Sequence, residues 1–380
     1  TFSSKEEADR VIYTLKGTNT DSGSEHVGLM GLDGDIYEKN VHSFKTLFQR
    51  DEGVLYPQLV ESRVIKTPAE IEVLKYVCRV SSEAHEHIMK EVVRPGMMEY
   101  QIEAAFQHWV YHHGGCRHTA YTCICCTGPN SAVLHYGHAG EPNAGGVVGG
   151  SMSLLDMGGE YYGYASDITR SYPIAKKFSQ QQRGIYEAVL AANEAVIQAM
   201  APGVSWKAMH LLADAILIQH LVKLGILQGN ETEMLNKRVC SLFFPHGLGH
   251  FMGLDTHDPG GYQEEYKGCT THDHPESNIV KLERSTLPGL KSLRCVRYLE
   301  EGMVITVEPG CYFIMEELRN APPEMKPYLV MEEIEKYAMF GGVRIEDDVL
   351  VTSTGSQVLS TAVKSIEAIE SLLALNPHLQ

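Results

Sequence analysis

The sequence predicts an α+β protein in which two similar halves of helix and strand share a central sheet, with a separate region ahead of them. Three observations predict it. A helix, a Pro-Gly turn and a second helix occur twice, as VRPGMMEYQIEAAF and MAPGVSWKAMHLLA, the self-similarity expected of a duplicated unit. Each copy is followed by short apolar runs with glycine-rich turns, which is strand grammar. Residues 1–64 lie outside the repeat and carry the turn-rich runs GTNTDSGS and LDGDI, so the boundary is set between regions 1–64 and 65–380.

Taken in order, Thr67-Pro68-Ala69-Glu70 opens the first helix: Thr can cap, Pro suits the first turn, and Glu can reach back in a capping box. Ile71, Leu74, Cys78, Ala84 and Ile88 form its apolar stripe, and Pro95-Gly96 stops it. Met98 to Tyr111 is the second helix, with Ile102, Ala105, Phe106 and Trp109 inward, ended by Gly114-Gly115. Ser179, with Gln182 three residues on, opens the third, and Pro202-Gly203 stops it. Ser205 to Leu224 is the fourth, with Met209, Leu212 and Ile216 inward. Strands are expected at Ser153–Met157, Tyr161–Thr169, Met303–Val307 and Val343–Val351.

A chain of 380 residues with 43% hydrophobic and 21% charged residues can bury a substantial core. Its formal charge of −16 argues against nucleic acid, whose phosphates demand clustered Lys and Arg. No run approaches the ~20 apolar residues of a membrane span, and TFSSKEEADR is charged where a signal peptide would be apolar. A cytoplasmic protein is expected. Nine cysteines, an odd number without framework spacing, read as reduced thiols. The cluster Cys123, Cys125 and Cys126 in YTCICC alternates as a buried strand rather than forming a thiolate site.

Four acids sit within or at the ends of apolar strands: Asp156 after SLL, Asp167 in YASDIT, Glu308 after VITV, and Glu346 in GGVRIEDD. A buried carboxylate must be paired, protonated or bound to metal. Taken singly, each has a structural explanation; Glu346, for instance, could pair with Arg344 along its own strand. Taken together, two divalent cations would balance their four charges and leave a water able to ionise. His246-Gly-Leu-Gly-His250 has the i,i+4 spacing of a zinc helix, but its glycines favour a loop presenting one histidine. His257 in LDTHDPGG and His135 in LHYGHAG are further candidates.

The motifs YTCICCTGPNSAVLHYGHAG, LLDMGGEYYGYASDITRSYP, FPHGLGHFMGLDTHDPGGY, GMVITVEPGCYF and FGGVRIEDDVLV resemble, in this order, the prolidase branch of the pita-bread metallopeptidases. The resemblance runs from about residue 11 to the end. It implies a pita-bread catalytic domain with pseudo-twofold halves at 65–380, preceded by a partial N-terminal α/β domain at 1–64. It implies a homodimer hydrolysing Xaa-Pro dipeptides with a hydroxide that bridges two metal ions. Asp156 and Asp167 would bind the first ion, His250 and Glu308 the second, with Asp167 and Glu346 bridging. Such oxygen-rich donors suit Mn²⁺, with zinc and cobalt as alternatives.

By the same resemblance Glu308 also moves the water proton, and His257 or His246 steadies the oxyanion and the substrate. His135 holds the peptide, and Arg294 in LKSLRCVRYL binds the C-terminal carboxylate with its guanidinium fork. Arg344 orients ligand carboxylates from behind, and Tyr121 is a candidate for the pocket wall. The chain departs from the family in YQEEYKGCTTHDHPESNIVKLERSTL, a longer, more polar segment carrying Asp273, His272 and His274, expected to be a surface insertion rather than a metal site. The rival readings are an Xaa-Pro aminopeptidase acting on longer peptides and a non-catalytic pita-bread binding module. Methionine aminopeptidase leaves Arg294 unexplained.

Overall fold

The computed structural model describes residues 26–27, 49–50, 52–138, 142–262, 265–267, 279–281 and 283–380. The runs GTNTDSGS and LDGDI, and residues His272, Asp273 and His274, lie outside the described residues. The chain divides into two compact units, Thr1–Arg63 and Val64–Gln380. In the first, β1 (His26–Val27) pairs in parallel with β2 (Gln49–Arg50), and α1 (Glu52–Val64) follows.

The second unit opens with α2 (Pro68–His87), whose start is the capping box read from the sequence. Thr67 Oγ1 accepts the Glu70 N–H at 3.3 Å, and the Glu70 carboxylate accepts the Thr67 N–H at 2.7 Å. Leu74, Cys78 and Ala84 are buried, and the helix runs into a π-turn at Ile88–Val92 before Pro95. In α3 (Glu99–Gly114) the core face is Ile102, Phe106 and Val110, with Trp109 half-buried beside it. The strands β3 (His118–Thr119), β4 (Ile124–Thr127), β5 (Met152–Asp156), β6 (Gly159–Tyr161), β7 (Tyr164–Ala165) and β8 (Thr169–Pro173) complete this half. Cys125 and Cys126 lie in β4, buried and unbridged like Cys123 just before it.

The second half repeats the order with α4 (Gln180–Ala199) and α5 (Trp206–Lys223), then α6 (Glu231–Asn236). An antiparallel hairpin, β9 (Glu265–Lys267) with β10 (Ile279–Lys281), brackets the polar segment. Next come β11 (Val304–Val307), β12 (Gly310–Tyr312), α7 (Met315–Arg319), α8 (Met331–Glu335), β13 (Gly342–Arg344), β14 (Asp347–Val351), β15 (Ser356–Val358) and α9 (Ile366–Leu375).

The duplication is visible in the hydrogen bonds of the two Pro-Gly turns. Gly96 and Gly203 take φ of +82° and +85°, values that favour glycine. Gly96 N–H bonds Val147 O, Val147 N–H bonds Met97 O, and Glu99 N–H bonds Gly145 O. The second turn repeats this triple as Gly203 to Leu299, Leu299 to Val204 and Trp206 to Arg297. Two antiparallel three-stranded sheets, β4-β5-β8 and β11-β14-β15, then meet through a bridge between Thr169 and Glu346.

Three sequence expectations are corrected. The strand expected at Tyr161–Thr169 is interrupted after β7 and resumes at β8, and the one expected at Val343–Val351 breaks between β13 and β14. Asp167 sits in the first break and Glu346 in the second. A continuous strand alternates its side chains between faces; leaving the ladder frees both carboxylates to turn toward one cavity. The released backbone donors are recovered, since Asp167 N–H bonds Asp348 Oδ2 at 3.0 Å and Glu346 N–H bonds Thr169 O at 3.1 Å. In α5 the buried stripe is Ala213, Leu217 and Leu221 with His210 and Asp214, while Leu212 and Ile216 are only partly buried. This helix is apolar on most of its circumference, so neighbours rather than periodicity select its inner face.

Candidate metal centre and substrate pocket

Each half contributes acids at strand ends or breaks, and they converge on a cavity of about 410 Å³. Asp156 closes β5, Glu308 directly follows β11, and Asp167 and Glu346 occupy the two breaks. His250 comes from the HGLGH loop, which is not helical. A Cβ on Gly249 would overlap the Thr306 carbonyl oxygen, so glycine there lets the loop lie against β11. His250 Nε2 lies 3.4 Å from Asp167 Oδ2 and 3.5 Å from Glu308 Oε1. Ligand atoms of Asp167, His250 and Glu346 all fall within 4.8 Å of one another.

The electrostatics of this cluster call for a cation. His250 Nδ1 faces the Phe251 carbonyl oxygen at 3.0 Å, so it carries the N–H, and Nε2 turns toward the two carboxylates. A ring nitrogen facing two carboxylate oxygens is satisfied by a cation between them, a proton or a metal ion. With only the protein's own charges present, burial and the Asp156 charge push the Asp167 carboxyl well above the usual carboxylate range. Burial and the Asp167 and Glu308 charges do the same to Glu346. Glu308 is raised to about 7, chiefly by burial. Hard oxygens with one imidazole fit a divalent ion of the Mn²⁺ type, and Asp156, Asp167, His250, Glu308 and Glu346 are the residues that could hold it.

Arg344 does not pair with Glu346 along the strand; the break separates them. It donates to Asp156 Oδ2 at 2.6 Å and to Thr169 Oγ1 at 3.1 Å, and Thr169 Oγ1 in turn donates to Glu346 Oε2 at 2.6 Å. Tyr121 O–H donates to Asp156 Oδ1 at 2.5 Å. One guanidinium thus braces acids from both halves.

The remaining candidates line the same cavity: His135, His246, His257 and Arg294. The His257 ring stands edge-on to His250, with centroids 4.4 Å apart. His246 is oriented by a relay that sequence reasoning missed. Arg344 donates to Tyr312 Oη at 2.9 Å, Tyr312 O–H donates to His246 Nε2 at 2.8 Å, and His246 Nδ1–H donates to Gly247 O at 2.8 Å. Burial and the Arg344 charge push His246 down to about 3, so it is a neutral imidazole. Asp348 was also missed: it accepts from Cys78 Sγ at 3.1 Å while holding the Asp167 backbone. The signal was there in the buried run Glu346-Asp347-Asp348, too acidic to be an ordinary strand. Arg294 is exposed at the cavity wall and has no hydrogen-bond or ion-pair partner among the described residues.

Residues 72–353 match metallopeptidase family M24. This chain belongs to that family. The M24 chain is 46% identical over 368 residues to the Xaa-Pro dipeptidase of Mus musculus, covering 96% of itself and 69% of that relative. Against the Xaa-Pro dipeptidase of Homo sapiens it is 46% identical over 366 residues, with the same coverage of 96% and 69%. Among solved structures, zinc-substituted Escherichia coli aminopeptidase P in complex with product is 35% identical with a TM-score of 0.66. That match covers 84% of this chain and 61% of the other, so the M24 chain spans about three fifths of it. Pseudomonas aeruginosa aminopeptidase PepP superposes with a TM-score of 0.74 at 31% identity, covering 93% of this chain and 71% of that one. The duplicated α+β architecture of the second unit is the pita-bread fold of the family, and an M24 metallopeptidase site is a divalent-metal site.

Proposed function

We propose that this chain is a dipeptidase hydrolysing Xaa-Pro dipeptides, with two divalent cations, Mn²⁺ by preference, held by Asp156, Asp167, His250, Glu308 and Glu346. The observation that carries the reading is the presence, in the lining of one cavity, of an acidic donor cluster and of Arg294, which has no side-chain partner among the described residues. A dipeptide offers a scissile carbonyl and a free carboxylate a few ångströms apart, the two groups such a cavity is built to receive. The relatives bearing the name Xaa-Pro dipeptidase support the same reading.

When bound, the cations supply Lewis acidity and lower the cost of ionising a water. The protein's own groups do the rest. Arg294 takes the substrate carboxylate in a charge-assisted fork, which fixes the register of the peptide. His246, neutral and locked between Tyr312 and the Gly247 carbonyl, sets its ring against the cavity with Nδ1 3.8 Å from Glu308 Oε2. Glu308 receives the proton of the attacking water and returns it to the leaving imino nitrogen. His257 and His135 flank the peptide and hold its carbonyl and amino ends. In this reading residues 65–380 are the catalytic domain and residues 1–64 belong to an N-terminal domain, in a cytoplasmic homodimer. No helix among the described residues is long and apolar enough to cross a membrane.

The test is release of proline from Gly-Pro by chelator-treated protein before and after Mn²⁺ is added. Metal-dependent release is expected; folded protein that takes up metal yet leaves Gly-Pro intact would overturn the reading. A second reading, Xaa-Pro aminopeptidase, is favoured by the likeness to solved aminopeptidase P structures. Gly-Pro-Xaa tripeptides separate the two, because a cavity that anchors the proline carboxylate on Arg294 turns over the dipeptide faster.

A further inference from the structure

We propose that the exposed face of α3 carries a second metal site, a two-imidazole chelate of His108 and His112 that takes a borderline divalent cation such as Cu²⁺, Ni²⁺ or Zn²⁺. The two residues stand one helical turn apart, the i,i+4 spacing that places side chains on the same face. Their rings are nearly parallel, 16° apart in plane, with centroids separated by 5.4 Å. Small side-chain rotations bring one nitrogen of each onto a single ion. Both side chains are exposed, and neither makes a hydrogen bond or ion pair among the described residues. Each therefore keeps a ring lone pair for a ligand.

The helix beneath them is held firm. Trp109, between the two on the chain, is clamped on both faces: His87 from α2 stacks at 4.2 Å and His113 at 3.9 Å. The His113 Nδ1–H donates to the Trp109 carbonyl at 3.2 Å, which ties that imidazole to the clamp and leaves it outside the chelate. The Gly115 N–H bonds Tyr111 O, and Gly115 adopts φ of +67° to close the helix. A chelate on such a backbone forms without ordering the chain first, which removes much of the entropy cost of binding.

Donor chemistry separates this site from the catalytic centre. The donor set proposed for the catalytic metals has four carboxylates and one imidazole, whereas α3 offers two imidazoles, with solvent left to complete the coordination shell. Nitrogen pairs favour Cu²⁺, Ni²⁺ and Zn²⁺ over Mn²⁺. Neither histidine lines the cavity, and the charge of −16 favours cation uptake generally. The inference is independent of the activity proposed above.

The test uses tag-free full chain saturated with Mn²⁺ and titrated with Cu²⁺ at pH 8, read by the nitrogen hyperfine pattern of the copper signal and by quenching of tryptophan fluorescence. One extra equivalent with two nitrogen ligands is expected. Because a chelate needs both rings, His108→Asn and His112→Asn should each weaken uptake roughly tenfold or more. The double variant should lose little further, the non-additivity of a shared site. His113→Asn should leave uptake intact. Absence of the extra equivalent, additive half-losses in the single variants, or undiminished uptake by the double variant would each overturn the proposal. Circular dichroism of the exposed-site variants confirms folding, so loss of uptake cannot be mistaken for loss of structure.

Discussion

Arg294 owes its importance to what it lacks: exposed on the cavity wall, it has no partner among the described residues. Arg294→Ala is expected to raise KM for Gly-Pro about 10- to 100-fold, the worth of one or two charge-assisted hydrogen bonds. The effect on kcat should be smaller, with Arg294→Lys intermediate; steady-state kinetics decides. Asp167→Asn replaces the acid nearest His250 Nε2, and elemental analysis after Mn²⁺ loading should show lost metal, alongside lost proline release. Tyr312→Phe deletes the hydroxyl between Arg344 and His246 and should lower kcat roughly tenfold while metal content stays unchanged. Loss of metal in that variant would show that the relay supports the ligands and not His246. The acids were legible because carboxylates in apolar runs are costly. Tyr312 was not, because its role is defined by partners 66 and 32 residues away, at His246 and Arg344.

At the scale of elements, caps and Pro-Gly stops are local physics and were legible: the box at Thr67 and Glu70, the box at Ser179 and Gln182, and the twin turns at Gly96 and Gly203. The strand breaks were not, because Asp167 and Glu346 leave their ladders only when the opposite half is in place to accept the freed donors. The inner face of α5 escaped for the converse reason, having too many apolar residues to show a stripe. Gly249 ties one element to the site. Gly249→Ala forces a methyl against the Thr306 carbonyl, and a cost of about 1–3 kcal/mol is expected from overpacking. Urea unfolding should show it, together with weaker metal retention as His250 is displaced. Unaltered stability would mean that the loop can swing away from β11.

For the molecule as a whole, the cavity's carboxyls link metal binding to pH. A carboxyl with a raised folded pKa contributes stability while protonated and loses it as pH climbs through the folded value. In chelator-treated protein, Glu308 should therefore cost stability as pH rises from its ordinary 4.5 to about 7. Asp167 and Glu346 act with the same sign. Mn²⁺ offsets that charge and displaces the protons, so the rise in Tm on adding Mn²⁺ should grow between pH 4.5 and 7. The buried His85 and His210, pushed down by burial to about 4 and about 3, work in the opposite direction. Neither is a proposed donor, though the Asp156 charge reaches His85, and the difference between the melting curves with and without Mn²⁺ is the quantity that reports on the carboxyls. A metal-induced shift that shrinks with rising pH would contradict the assignment. By itself the sequence determined the chemical inventory: four acids in apolar runs, the histidine loop, two copies of a helix pair, and a charge unsuited to nucleic acid. Those follow from residue type and near-neighbour spacing, which solvent and local backbone physics enforce. Only the tertiary structure decided that Arg344 braces Asp156, that Thr169 reaches Glu346 across 177 residues, and that Arg294 has no side-chain partner among the described residues. Such contacts depend on how the two halves register against each other, and no periodicity along one chain encodes a distance between strands so far apart in sequence.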